Sequence, residues 1–303
     1  MERDSFMIIS YGISRQGAYH VKNGTVCQDA YIITRINDTT AVAAVADGLG
    51  SELYSDIASK IAVKEATGFF VANYQEPMND EEIIGTIRSS FEIAQCKIEE
   101  EAKKSGHEID QYDTTLSFAF MRDDSLFFGH IGDSGIIAMT CDGRVEKVTE
   151  QQRDEYGRVF PLFFGEQKSV FGKFNEKIAS VLLATDGILE TFTPVLIKDE
   201  PVCLYVALAR FFMDVKALGA ETEGEEGIQR KITEFIDSIP EESVNDDKTV
   251  VVMTNTMEIN YLQQESYYSV PDWEELERKR KEKWRREAYP HLYADEDAEN
   301  KSE

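Results

Sequence analysis

Five carboxylates stand where strand-like runs begin or end. Asp29 lies in Cys27-Gln28-Asp29-Ala30, ahead of a β-rich run. Asp47 lies in Ala46-Asp47-Gly48-Leu49-Gly50-Ser51, after the run Val42 to Ala46. Asp186 lies in Ala184-Thr185-Asp186-Gly187, after the similar run Val181 to Thr185. Asp246 and Asp247 precede Lys248-Thr249 and the last strand-like run. Strand ends on a sheet are rigid platforms for functional side chains. Carboxylates without His or Cys partners are hard oxygen donors, which suit Mg2+ or Mn2+. Any single Asp-Gly pair reads first as a turn. The spacing alone leaves a joint metal site and a set of turns both open.

The elements that must position these acids are legible from periodicity. Phe6 to Ile13, Tyr31 to Ile36 and Thr40 to Ala46 read as strands, the last two joined as a hairpin at Asn37-Asp38. Ser55 to Tyr74 carries Ile57, Ile61, Ala62, Ala66, Phe69 and Phe70 near a 3.6 period, and Asp80 to Lys104 repeats the pattern up to a stop at Gly106. Four short strands follow, Thr115 to Met121, Ser125 to Ile131, Gly135 to Thr140 and Val145 to Thr149, in the rhythm of an antiparallel meander. Residues 150–178, with Phe160, Phe163, Phe164, Phe171 and Phe174, read as an irregular loop with short strands, either core packing or a substrate-facing surface. Ile178 to Ala184 and Thr249 to Thr254 are strands, Pro201 to Lys216 and Gly227 to Ile239 helices, and the Glu-rich stretch Ala220 to Gly227 a solvated loop. Strands and helices in separate blocks indicate an α+β fold.

Composition narrows the function. With 32 basic against 57 acidic residues, the net charge of −25 repels phosphate backbones and argues against nucleic-acid binding. A hydrophobic content of 42% supports a sizeable core. No run of about 18 apolar residues predicts a membrane span, and Met1 to Gly12 lacks the features of a secretory leader. Cys27, Cys96, Cys141 and Cys203 stand alone, so neither a zinc cluster nor a disulfide framework is expected, and a reducing cytoplasm is the natural setting.

Four stretches of short motifs, in this order and at these separations, resemble those of the metal-dependent type 2C Ser/Thr protein phosphatases, in particular their compact bacterial branch. They are Gly12-Ile13-Ser14 through Cys27-Gln28-Asp29-Ala30, then Ala46-Asp47-Gly48-Leu49-Gly50-Ser51, then Asp113-Thr114-Thr115-Leu116 with His130-Ile131-Gly132-Asp133-Ser134, and finally Asp186-Gly187 with Asp246-Asp247-Lys248-Thr249. The resemblance covers residues 8–255 and implies a four-layer α-β-β-α sandwich of two antiparallel sheets. It also implies two Mn2+ or Mg2+ ions bridged by Asp47 and completed by Asp29, the Gly48 carbonyl, Asp186 and Asp246, with a third, weaker ion at Asp133. Asp247 falls where the family often has Asn, which suits a supporting role. Two such ions ~3.5–4 Å apart lower the pKa of a shared water, whose hydroxide attacks phosphorus in line. The implied substrate is a phosphorylated protein, the target of a Ser/Thr kinase.

The chain departs from the family where phosphate is held. Many relatives carry an Arg shortly before the first acid, and Asn23 to Gln28 contains none. Arg15, His20 and Lys22 are the nearby cations that could replace it, His20 either as a phosphate or leaving-group contact or as a packing residue. Leu49 stands where some relatives have His, and Gln28 replaces an acidic neighbour seen in some members. The catalytic set expected is therefore Asp47, Asp186 and His20. A phosphatase-like scaffold or binding module with weak or no turnover is the alternative, as is another two-metal phosphoesterase. Residues 1–255 read as the catalytic domain and 256–303 as a charged extension with a disordered end. Within the extension, Arg278 to Arg286 holds seven basic residues and one acidic one. Its helix reads either as packing on the body through Trp273, Leu276 and Trp284, or as a partner contact over residues 271–290.

Overall fold

The structure, a computed structural model, describes residues 8–257 and 263–292. The predicted strand start at Phe6 and the tail end predicted to be disordered lie outside the described residues. Among the described residues, ten strands form two five-stranded antiparallel sheets. The first sheet has the order β1 (Ile8–Arg15), β10 (Lys248–Asn255), β9 (Ile178–Ala184), β6 (Gly135–Thr140), β7 (Val145–Lys147). The second has β2 (Asp29–Asn37), β3 (Thr40–Asp47), β4 (Leu116–Arg122), β5 (Ser125–Ile131), β8 (Val170–Lys173).

The central strands explain the four layers. Their side chains alternate between faces, yet almost every position is buried and apolar. In β3, Val42, Ala44 and Ala46 pack under α2 (Ser55–Asn73) and α3 (Asp80–Ser105), while Ala41, Ala43 and Val45 face the opposite sheet. In β10, Val250 and Val252 pack under α4 (Asp186–Phe192), α5 (Val206–Met213) and α6 (Ala220–Asp237), while Val251 and Met253 face inward. A strand apolar on both faces must be covered on both. The α-β-β-α sandwich follows, as expected. The interior of α3 is set by Ile83, Ile87, Phe91, Ala94 and Ile98, and its start by a capping box of Asn79 and Glu82.

Several local expectations are corrected. The four-strand meander is two hairpins, β4-β5 and β6-β7, in different sheets. Gly132-Asp133-Ser134 carries the chain across between them. Gly132 has φ 107°, and a Cβ there would meet the Thr115 side chain. Ala220 to Gly227 is helical, broken at Gly224 (φ 68°), and Glu223 pairs with Lys231 and Arg230. The helix predicted from Pro201 shortens to α5, because Asp214 takes the Ala217 N–H and stops it. Two helices were not expected, α1 (Ala18–Asn23) and α4. Phe160, Phe163 and Phe171 pack on the core beneath α2 and α3, whereas Phe164 is exposed. In α7 (Trp273–Ala288), Leu276 is buried and Trp273 stacks edge-on against Tyr205, but Trp284 is exposed and takes no part in the packing stripe.

One core polar group ties the loop after β7 to the second sheet. His130 is buried, with Nε2 3.1 Å from the Glu150 carbonyl and Nδ1 2.8 Å from Ser117 Oγ. A carbonyl only accepts, so Nε2 carries the proton and the Ser117 hydroxyl donates to Nδ1. Burial pushes the imidazole down to about 4. The unfolded value is about 6.5, so its stabilising effect is complete above that pH and is lost as pH falls toward 4, up to ~3 kcal/mol. Thermal unfolding of wild type and His130→Gln between pH 7.5 and 5 should show the gap between them narrowing as pH falls. A constant gap would refute the buried neutral histidine.

Candidate active site

The acids predicted from sequence meet at one end of the sandwich. Asp29 opens β2 and Asp47 closes β3, directly opposite each other in the ladder. Like charges in that register repel and weaken a sheet. Asp186 opens α4 beyond the end of β9, and Asp133 sits in the crossing between sheets. One carboxylate oxygen from each of Asp47, Asp133 and Asp186 lies within 4.8 Å of the others. Asp29 is buried beneath them. Its Oδ2 accepts from the Thr185 hydroxyl at 2.7 Å, and its Oδ1 has no hydrogen-bond partner.

Burial and mutual repulsion dominate the electrostatics. Burial, with the charges of Asp247 and Asp186, raises Asp29 to about 8 against the hydroxyls of Thr185 and Thr249. Burial, then the charges of Asp133, Asp246 and Glu190, raises Asp186 to about 7. Asp47 is pushed well above the usual carboxylate range by burial and by Asp29, Asp186, Asp133 and Asp246. Asp133 is raised by burial. Such a group holds its charge only if cations join it. The donors are all oxygen, and one buried oxygen lacks any partner, so the residues fit Mg2+ or Mn2+.

Asp246 and Asp247, adjacent in sequence, do different things. Asp247 is buried and accepts from the Gly17 N–H at 2.6 Å, the Gln28 N–H at 2.6 Å and His20 Nδ1 at 2.9 Å. It fastens the segments before β2 and β10 together. Asp246 is 55% exposed and lines a cavity of about 500 Å³ with Asp186, Glu190, Asn245 and Arg153. Gly187 permits this closeness, because a Cβ there would overlap the Asp247 carbonyl. Gly48 meets the same limit against the backbone of Ser55.

The three expected phosphate cations are placed differently. Arg15 Nε donates to Asp237 at 2.8 Å, and Lys22 pairs with Glu241 at 3.6 Å. His20 is buried with Nδ1 on Asp247 and Nε2 3.7 Å from Asp246. The cation that reaches the acids was not foreseen. Arg153 Nη2 lies 2.7 Å from Asp133 and 3.3 Å from Asp186. Nothing in Gln151-Gln152-Arg153-Asp154 marks it locally, since only the fold brings this loop to Asp133.

The family model for protein phosphatase 2C matches residues 16–237. The chain belongs to that family. It is therefore a metal-dependent serine/threonine protein phosphatase. No curated protein matches it in sequence. Among solved structures it is similar to the serine/threonine phosphatase PstP/Ppp of Mycobacterium tuberculosis, with 17% identity over 82% of this chain and 98% of the other and a TM-score of 0.57. It is similar also to Stp1 of Staphylococcus aureus, with 15% identity, 81% and 94% coverage and a TM-score of 0.53. For PppA of Pseudomonas aeruginosa the values are 16%, 82% and 97%, and 0.53. At such identities the likeness is one of fold, and it agrees with the two five-stranded sheets described above.

The raised carboxyls carry a signed expectation. Asp29 binds its proton more tightly folded than unfolded, so it weakens the cation-free fold as pH rises from about 4 to about 8. In chelator, Asp29→Asn should melt progressively higher than wild type as pH is raised from 5 to 8. Added Mg2+ should then stabilise wild type more than the variant, because the amide is a poorer ligand. Parallel melting curves across pH, with equal Mg2+ response, would contradict the site as drawn.

Proposed function

We propose that this phosphatase hydrolyses phospho-Ser and phospho-Thr side chains of kinase-modified proteins with two Mn2+ or Mg2+ ions. Asp47 would bridge the ions, Asp29, the Gly48 carbonyl, Asp186 and Asp246 would complete their ligands, and Asp133 would hold a third, weaker ion. The observation that carries this reading is the convergence of Asp47, Asp133 and Asp186 within 4.8 Å, above a buried Asp29 with one unpartnered oxygen.

Bound divalent cations supply the charge that eases deprotonation of a water and offsets negative charge on phosphoryl oxygens. The chain's residues do the rest. Thr185 fixes the Asp29 carboxylate through Oδ2 and leaves Oδ1 as donor. Asp247 accepts from the Gly17 and Gln28 N–H groups and sits 2.9 Å from His20 Nδ1, where a ring N–H donates to it. The ring is thereby oriented with Nε2 toward Asp246, a positioning role in place of direct phosphate contact. The cavity beside Asp186 and Asp246 admits the phosphorylated side chain.

A turnover-free scaffold is the weaker reading, because nothing in a scaffold requires mutually repelling carboxylates to be held together. We assign catalysis to residues 1–255 and treat 256–303 as an extension, which is supported by the lie of every candidate ligand before Lys248. A cytoplasmic setting is supported by Cys27, Cys96, Cys141 and Cys203, none of which forms a disulfide, and no described helix is long and apolar enough to cross a membrane.

Hydrolysis of a phospho-Thr peptide should require Mn2+ or Mg2+ and stop on chelation. Asp47→Asn should lower kcat/KM by several orders of magnitude with an unchanged circular dichroism spectrum. Undiminished turnover by that variant would defeat the assignment.

A further inference from the structure

The cavity beside the acids poses an electrostatic problem for an anionic substrate. Its walls carry Asp186, Glu190 and Asp246, and Arg153 is its only cationic lining residue among those described. Arg15 and Lys22 are paired with Asp237 and Glu241, and His20 is buried against Asp247. A phosphate group arriving here meets one side chain able to offer it a charged fork of donors.

Arg153 is held in place by its chain neighbours. The Gln152 N–H donates to the Gly132 carbonyl at 2.7 Å, and Gln152 Oε1 accepts from the Gly132 N–H at 3.2 Å. Gln151 Nε2 donates to the Asp133 carbonyl at 2.8 Å. Three hydrogen bonds thus tie residues 151–152 to the turn that carries Asp133. On the other side, Arg153 forms an isolated antiparallel bridge with Val159, and Asp154 Oδ1 accepts the N–H groups of Tyr156 and Arg158 at 2.8 Å. A side chain anchored on both flanks is aimed at the acids by design of the backbone.

Its guanidinium is only partly engaged. The single nitrogen Nη2 serves both Asp133 and Asp186, while Nε and Nη1 make no hydrogen bond among the described residues, and the side chain is 39% exposed. Arg–carboxylate pairs are frequently bidentate, with two parallel N–H donors on one carboxylate. Here the fork that would match phosphate geometry is left unused.

We propose that Arg153 is the phosphoryl-binding residue of this site, standing in for the arginine missing before Asp29, and that in the cation-free protein Asp133 and Asp186 hold it in waiting. When cations neutralise those carboxylates, the guanidinium is released to the phosphoryl oxygens. The inference rests on the phosphomonoester reading above. Two consequences follow, one at the anion and one at the cation. Loss of Arg153 weakens phosphate binding, and it also strengthens Mg2+ binding, since a competing positive charge has been removed.

Calorimetry on the full chain reads both. Inorganic phosphate is titrated into Mg2+-saturated wild type, Arg153→Ala and Arg153→Lys, and Mg2+ into each cation-free protein. Arg153→Ala should bind phosphate about 10- to 100-fold more weakly, with Arg153→Lys between it and wild type, and should bind Mg2+ severalfold more tightly. For a phospho-Thr peptide, the variant should lose more in KM than in kcat. Unchanged phosphate affinity in a folded Arg153→Ala, with wild type hydrolysing the peptide, would overturn the role of Arg153 alone. Absence of Mg2+-dependent hydrolysis in wild type would instead overturn the reading beneath it.

Discussion

The structure depends on a repulsion. Asp29, Asp47, Asp133 and Asp186 are brought into one partly dry corner, and two of them face each other across a ladder. Left alone, such a group opposes folding, and protons, cations or a guanidinium must relieve it. The rest of the fold withstands this by being over-determined elsewhere. The interior strands are apolar on both faces, the helices cover both sheets, and Asp247 fastens the loops with three hydrogen bonds. Stability is concentrated in the layers, and the strain is confined to one end.

The relief is distributed by depth. Asp29 and Asp133 are both buried, and Asp29 has a hydroxyl on one oxygen only. Asp186 is more open and lines the cavity, and Arg153 touches both it and Asp133. Asp246 is the most open. A gradient from a dry carboxylate to a wet one suits a site that must hold its inner charge firmly and exchange its outer contacts with substrate.

Much of this was legible in the residues. Apolar runs such as Val42 to Ala46 and Val250 to Met253 declare central strands, because alternation is absent when both faces are buried. The acids at their ends are visible for the same reason. Where reading failed, the deciding contacts were distant in sequence. The split of the meander at Gly132 depends on pairing of β6 with β9, over forty residues away. Helix α4 begins at an Asp-Gly that reads locally as a turn. The Glu-rich start of α6 is helical up to the break at Gly224, and Glu223 reaches across that break to Lys231 and Arg230. Arg153 and the engagement of Arg15 and Lys22 elsewhere are tertiary facts, and charge type alone could not separate them.

The bonds that converge on Asp247 join residues up to 230 positions apart. A chain growing from its N-terminus therefore makes both helices over the second sheet long before it can close the corner where the acids meet. The strand β10 must slot between β1 and β9 for Asp246 and Asp247 to arrive at all. A chain interrupted before β10 thus carries the whole second sheet and its two covering helices, yet lacks the fastening that Asp247 gives the corner where the acids meet.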